Sequence, residues 1–489
     1  MSLRLSEEHS LSLATLGLIG LILAVTAYDQ PQSFGSLSID TVVVGVPLVI
    51  LLCIPYVRRV GIASVPRYLL GSAVLVFLGW GLVSVVATGG GFSAWLTMAR
   101  YASYFLLAVV ISIVTQTPAA RRLLLWVMAI SSGLTAVLSL AQYLDPKLTP
   151  GMRGVGPDIT TRVVATFYNS NFYAEYLILM IGVVIALAFT EKPRARILAA
   201  AVGLLLGVSL LLTYTRGSWL GLVVGLLVFV IVADARYLFA VAAAAGAGVL
   251  FVPGVVSRLK QSTANSSSAD FRLGIWKIAG QAIRNHPVFG YGAGDFLGAY
   301  REVVVQQVDL YQGYVTFGAH NSYFELAAEI GIIGGIAFFV VTFLYATRGI
   351  YIATRKGVDA TTKYTALGLS VGLVGILANT FTSNTFQHPQ SGLFFWILSG
   401  IVAGLGAGLW ESDVRVPASG SVASDGVVGG SAAVQGIAGA RGWLSRAWRT
   451  SVTFATSAQS RRLEDSWIGS SWIMDKMLGP GTRSRHKGD

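Results

Sequence analysis

Apolar runs of about twenty residues, repeated along the chain, decide most of what this sequence can fold into. They fall at roughly 10 to 28, 41 to 57, 67 to 88, 94 to 114, 122 to 143, 172 to 190, 195 to 213, 217 to 233, 236 to 252, 321 to 347, 364 to 383 and 391 to 410. A helix needs about 20 residues to cross the hydrocarbon core of a bilayer. Within lipid only helices and closed barrels satisfy every backbone polar group, and these runs lack the alternating period of barrel strands. They predict an all-α, polytopic membrane protein with about 12 transmembrane helices. Composition points the same way. The chain is 54% hydrophobic and 12% charged, with a mean hydropathy of +0.67, whereas soluble domains carry roughly 25% charged residues.

Basic residues in the short loops set the predicted orientation. If the N-terminus is cytoplasmic, the inside loops hold Arg58, Arg59 and Arg67; Arg121 and Arg122; Lys192, Arg194 and Arg196; Arg236; and Arg348, Arg355, Lys356 and Lys363. The opposite short loops near 89 to 93 and 384 to 390 contain no Lys or Arg. The positive-inside rule therefore predicts N-in and C-in with twelve spans. The first run lacks a small-residue cleavage site and continues into further spans, so no cleavable signal peptide is expected. The single cysteine, Cys53, lies in the second run and offers neither a disulfide nor a thiolate metal site.

This topology leaves two longer exterior segments, 144 to 171 and 253 to 320. The second contains an amphipathic pattern in which Phe271, Ile275, Ile278 and Ala282 share one face, and Lys277, Gln281 and Arg284 the other. Asp270 is the expected N-cap and Pro287 the stop. After the turn Phe289-Gly290-Tyr291-Gly292-Ala293-Gly294, a second helix is expected from about Asp295 to Leu310. The domain reading is thus a transmembrane domain over 1 to 410, including the helical exterior loop 253 to 320, and a cytoplasmic tail over 411 to 489. That tail begins as a Gly-, Ala- and Ser-rich linker. Its later part interleaves Trp443, Trp448, Trp467 and Trp472 with Arg441, Arg446, Arg449, Arg461 and Arg462, which suits inner-leaflet headgroups. No nucleic-acid reader motif accompanies the net charge of +12.

Several residues sit where chemistry is expected. His320 precedes a long apolar run and is followed by Glu325 and Glu329, whose spacing of four puts both carboxylates on one helix face. A lone histidine at a helix start is usually solvated or capping, but two acids entering the membrane beside it favour a functional role. At neutral pH it can accept a proton from a hydroxyl. Arg216, in Thr215-Arg216-Gly217-Ser218, lies at an exterior corner between two runs, where it either snorkels or meets a ligand. Arg100 lies inside the fourth run, as a structural ion pair with a partner such as Glu175 or as part of an anion site. Asp295 and Asp309 are isolated, so a metal-independent site with arginines neutralising an anion is the better match.

The chain resembles the O-antigen ligase and polymerase superfamily of bacterial membrane glycosyltransferases over most of residues 160 to 345. Four segments carry the resemblance: Asn169-Ser170-Asn171 leading into a helix; the Thr215-Arg216-Gly217 corner; Arg272 to Trp276 with the following Gly-rich turn; and Ala319-His320-Asn321-Ser322 with Glu329-Ile330-Gly331. The resemblance implies transfer of a glycan from a polyprenyl diphosphate carrier to an acceptor hydroxyl, at the exterior face of the bacterial inner membrane. Arg216 and Arg272 would bind the diphosphate, with Arg162 and Arg153 as further anion contacts. His320 would deprotonate the acceptor, with inversion, and Arg216 is counted with it as catalytic. Asn321, Glu329, Asn171 and Trp276 would support them. No cofactor or metal is implied; the partners are the lipid-linked glycan donor, a glycan or glycolipid acceptor and the bilayer. The competing class is a transporter or channel for a small anion or a lipid-linked substrate, which twelve spans also fit, and a third is a non-catalytic assembly partner. Ligase and polymerase are not separable from the residues.

Overall fold

Each apolar run becomes a helix because lipid leaves its backbone no other partner. The computed structural model describes residues 7–27, 32–34, 37–39, 41–62, 65, 67–148, 162–167, 169–252, 254–260, 267–307, 318–407 and 409. The helices are α1 (Glu7–Ala27), α2 (Thr41–Val60), α3 (Ser72–Ala87), α4 (Phe92–Val114), α5 (Pro118–Leu144), α6 (Ser170–Thr190), α7 (Pro193–Leu212), α8 (Arg216–Val232), α9 (Tyr237–Phe251), α10 (Val255–Lys260), α11 (Ser267–Asn285), α12 (Phe296–Gln306), α13 (Ser322–Thr354), α14 (Ala360–Asn379) and α15 (Pro389–Gly406). Among the described residues, nine are long and apolar enough to cross a membrane, namely α1, α2, α4 to α7 and α13 to α15. The shorter apolar helices α3, α8 and α9 occupy the other three predicted runs. The stretch 195 to 233 is indeed two helices, parted at 213–215. One local departure from an all-helical chain is a hairpin, β1 (Gln32–Phe34) paired antiparallel with β2 (Leu37–Ile39).

The bundle is organised around α14, which packs on α6, α8 and α13, while α15 packs on α4. Close backbone approach explains the contact with α6. A Cβ on Gly182 would lie 2.7 Å from Gly372 N and 2.8 Å from Gly368 O, so only glycine lets these helices meet, as small residues do at membrane helix interfaces. A separate cluster binds the amphipathic helices to α13: Ile275, Ile278, Ala279 and Ala282 of α11 pack with Phe296, Ala299 and Val303 of α12 and Ala328 of α13. The predicted apolar face of α11 is therefore the buried one. Its start is corrected: the helix begins at Ser267, so Asp270 is in the first turn rather than the N-cap, where its charge still suits the helix dipole. Asp295 caps α12, accepting from Gly298 N.

The run at 321 to 347, expected as one regular span, is broken. Ile330 (φ −122°, ψ 16°) and Gly331 (φ 80°, ψ 169°) leave helical geometry, and the backbone groups freed there are satisfied by the Gly-rich turn. Tyr291 N donates to Ala328 O at 3.0 Å, Gly292 N to Glu329 O at 2.8 Å and Ile332 N to Pro287 O at 2.9 Å. Trp80 Nε1 of α3 donates to Ile330 O at 3.0 Å, and its ring stacks on Phe289. The turn is thereby locked into the broken helix and between neighbouring spans.

Candidate functional site

Three non-glycine residues among those described have positive φ: Ala165 (50°), Tyr214 (52°) and His320 (50°). Such strain costs about 1–3 kcal/mol per residue and persists where the surroundings impose it. Each lies in a segment that carries a basic candidate residue.

At His320 both flanks are pinned. Asn321 caps α13, its Oδ1 accepting from Tyr323 N at 3.0 Å and Phe324 N at 3.1 Å. Ala319 N donates to Glu325 Oε2 at 2.7 Å, and Ser322 N to Ser383 O at 3.2 Å. The imidazole is half-buried, and burial, followed by the Arg272 charge, holds its pKa below the ordinary 6.5. It is therefore neutral at pH 7 and able to accept a proton.

At the α7–α8 corner, Arg216 is the first residue of α8. Arg162 crosses to this corner. Its Nε donates to Thr213 O at 2.7 Å, and its Nη2 to Asn171 Oδ1 at 2.9 Å and Thr215 Oγ1 at 2.8 Å. The Asn169-Ser170-Asn171 segment thus has two roles: Asn169 caps α6 by accepting from Asn171 N, and Asn171 anchors Arg162. Buried Gln142 fixes the chain just after Arg162, accepting from Val164 N and Ala165 N and donating to Ala165 O.

The guanidinium groups form one cluster. Burial, then Arg258 and Arg272, lowers Arg162 to about 10. Burial and Arg216 lower Arg258; burial, Arg216 and Arg258 lower Arg272. The charges bearing on these arginines are one another, and a multivalent anion placed among them would relieve that repulsion. The structure thus brings Arg162, Arg216 and Arg272 into one cluster, with Arg272 beside His320. It adds Arg258 of α10, whose Nε donates to Tyr214 O at 3.3 Å. Sequence reasoning passed over Arg258; its signal was a basic residue in a segment the positive-inside rule would leave bare. Trp276 lies one turn from Arg272, edge-on to Phe324 at 6.0 Å between centroids. Arg153 and the tail with its tryptophans lie outside the described residues.

Arg100 lines a cavity of about 210 Å³ with Thr97, Tyr101, Gly294, Glu325, Glu329 and Gln387, and its charge bears on Glu329. Glu175, the partner considered from sequence, is instead hydrogen-bonded by Ser383 Oγ and by Asn379 Nδ2. Asn379 Oδ1 in turn accepts from Ser218 Oγ of α8 at 3.1 Å. Glu175 therefore joins the Arg216 corner to the Ser383 segment that supports His320. Among the described residues, no three His, Cys, Asp or Glu side chains converge as metal ligands.

Fold and site together define a polytopic helical membrane protein with a cationic cluster, beside a neutral histidine, where several helices end. Residues 201–339 match the family model described as O-antigen ligase, so this stretch of the chain is similar to that family. The matched stretch contains Arg216, Arg258, Arg272 and His320. No curated protein matches the chain.

Proposed function

We propose that the protein transfers a glycan from a polyprenyl diphosphate carrier to an acceptor hydroxyl, as an O-antigen ligase or polysaccharide polymerase of the bacterial inner membrane, with twelve spans, both termini cytoplasmic and the site exterior. The observation that carries the reading is the cluster of Arg162, Arg216, Arg258 and Arg272, the last of which bears on an uncharged His320. Guanidinium groups complement diphosphate oxygens bidentately. Fixed in place before reaction, they stabilise charge that grows as the glycosyl bond breaks. Arg162 is held by three hydrogen bonds and shapes the pocket wall; Arg216, Arg258 and Arg272 contact the diphosphate.

The step balances as follows. His320 removes the proton of the acceptor hydroxyl, whose oxygen attacks the anomeric carbon from the face opposite the diphosphate. A new carbon–oxygen bond forms with inversion, the bond to the carrier oxygen breaks, and the diphosphate leaves with the electron pair. The guanidinium charges neutralise it without a metal.

Purified His320→Ala and Arg216→Ala proteins are expected to remain folded in detergent and to lose transfer by about 100-fold or more, the cost of removing one such electrostatic or proton-transfer group. Transfer is expected to survive excess EDTA. Near wild-type product from either variant, or a need for added divalent cation, would refute the assignment.

A further inference from the structure

The pocket of arginines handles only half of such a reaction. The acceptor must be held with one hydroxyl against His320, and Glu325, on the helix that His320 precedes, lines a cavity with Thr97, Arg100, Tyr101, Glu329 and Gln387. Glu325, five residues along from His320, binds the backbone of Ala319, so cavity wall and base share one short segment.

The cavity differs in chemistry from the arginine pocket. Glu325 and Glu329 are only 4% and 3% exposed. Ala319 N–H binds Glu325, and the N–H groups of Gly294 and Phe296 bind Glu329, while a carboxyl group has capacity for further hydrogen bonds. Gln387 donates to Ser322 O at 3.3 Å, while its buried Oε1 has no hydrogen-bond partner. Buried acceptors left unsatisfied cost free energy, and they are supplied by a ligand rich in donors.

Charge narrows the ligand class. The cavity sets two acids beside Arg100, so neither a simple anion nor a simple cation meets a lining of one opposite sign. A neutral polyhydroxyl group suits both, since each hydroxyl donates to a carboxylate and accepts from a guanidinium. At about 210 Å³, equal to roughly seven waters at ~30 Å³ each, the space is that of one sugar ring, and Tyr101 offers it a flat wall.

We propose that this cavity is the acceptor subsite, binding the terminal sugar ring of the acceptor through its hydroxyls, with Glu329, Glu325 and Arg100 as the polar contacts. The electrostatic division keeps the substrates apart: the charged carrier end is drawn to the arginines and the neutral hydroxyl end to the acids, with His320 between them. This inference rests on the glycosyl-transfer reading.

The test is steady-state kinetics of purified protein, with polyprenyl-diphosphate glycan and membrane glycolipid from the same cells as donor and acceptor. Glu329→Gln is expected to raise the acceptor KM about tenfold or more, since a hydrogen bond to a charged group is lost, and to leave the donor KM within twofold. Thr97→Val, which removes a hydroxyl at the cavity wall without changing shape, is expected to move acceptor KM in the same direction by a smaller factor, and keeps the test open if Glu329→Gln does not fold. Donor and acceptor KM rising together, or kcat falling with both unchanged, would overturn the subsite. A wild-type protein that binds no donor would instead overturn the transfer reading.

Discussion

Gly331→Ala is the perturbation that most sharply separates this fold from a simple bundle. Gly331 has φ 80° and ψ 169°, a region open essentially to glycine alone, so any side chain costs on the order of 1–3 kcal/mol in backbone strain. A Cβ there would also collide with the carbonyl oxygen of Val288, in the turn that binds the broken helix. Three backbone hydrogen bonds join turn to helix, from Tyr291, Gly292 and Ile332, each worth about 0.5–1.5 kcal/mol net. If the turn is displaced, the total loss is about 2.5–7.5 kcal/mol. Gly357→Ala is the internal control, because Gly357 has φ 81° with nothing within 4 Å of the added Cβ. It should show the strain alone. The assay is thermal unfolding in detergent by intrinsic fluorescence, joined to hydrogen exchange of residues 287–294. Gly331→Ala should unfold well below Gly357→Ala and lose protection in the turn; equal unfolding temperatures would refute the lock between turn and helix.

Two further outcomes follow from the same geometry. His320 has its pKa depressed by burial and by Arg272, so its neutral form prevails down to a pH below 6.5 and the acid limb of its reactivity lies there. Arg272→Gln should move that limb to higher pH, read by mass spectrometry as the pH dependence of His320 acylation by diethyl pyrocarbonate; an unmoved or lowered limb contradicts the electrostatic coupling. Gly372→Val places a Cβ 2.9 Å from the Leu179 backbone and should destabilise the α6–α14 contact by about 1–3 kcal/mol, measured as a fall in unfolding temperature; a variant as stable as wild type would show that the helices separate freely.

The spans were legible because lipid imposes one rule on all of them, and the two helices over 195 to 233 divide where the sequence places Thr213 to Arg216. His320, Arg216, Arg272 and Arg162 were legible as motif residues, and the structure gathers all four. The break at Ile330–Gly331 was hidden, since its cause is not in the apolar run but in a turn forty residues upstream. Arg258 was hidden for a related reason: a basic residue on a short helix shows no pattern, and its contact with the strained Tyr214 corner is made only by the fold. The acids of α13 were read correctly as sharing a face, but their neighbour Arg100 comes from a helix more than two hundred residues earlier. Asp270 was misplaced because the apolar pattern of α11 fixes its buried face and not its first residue.

The most direct measurement places the purified wild-type protein in proteoliposomes with polyprenyl-diphosphate glycan and an acceptor glycolipid, and counts carrier diphosphate released against new glycosidic bonds formed. The glycosyl-transfer account predicts one for one, with both products absent in His320→Ala. Movement of the intact lipid-linked glycan or of a small anion across the bilayer with no carrier released would contradict it.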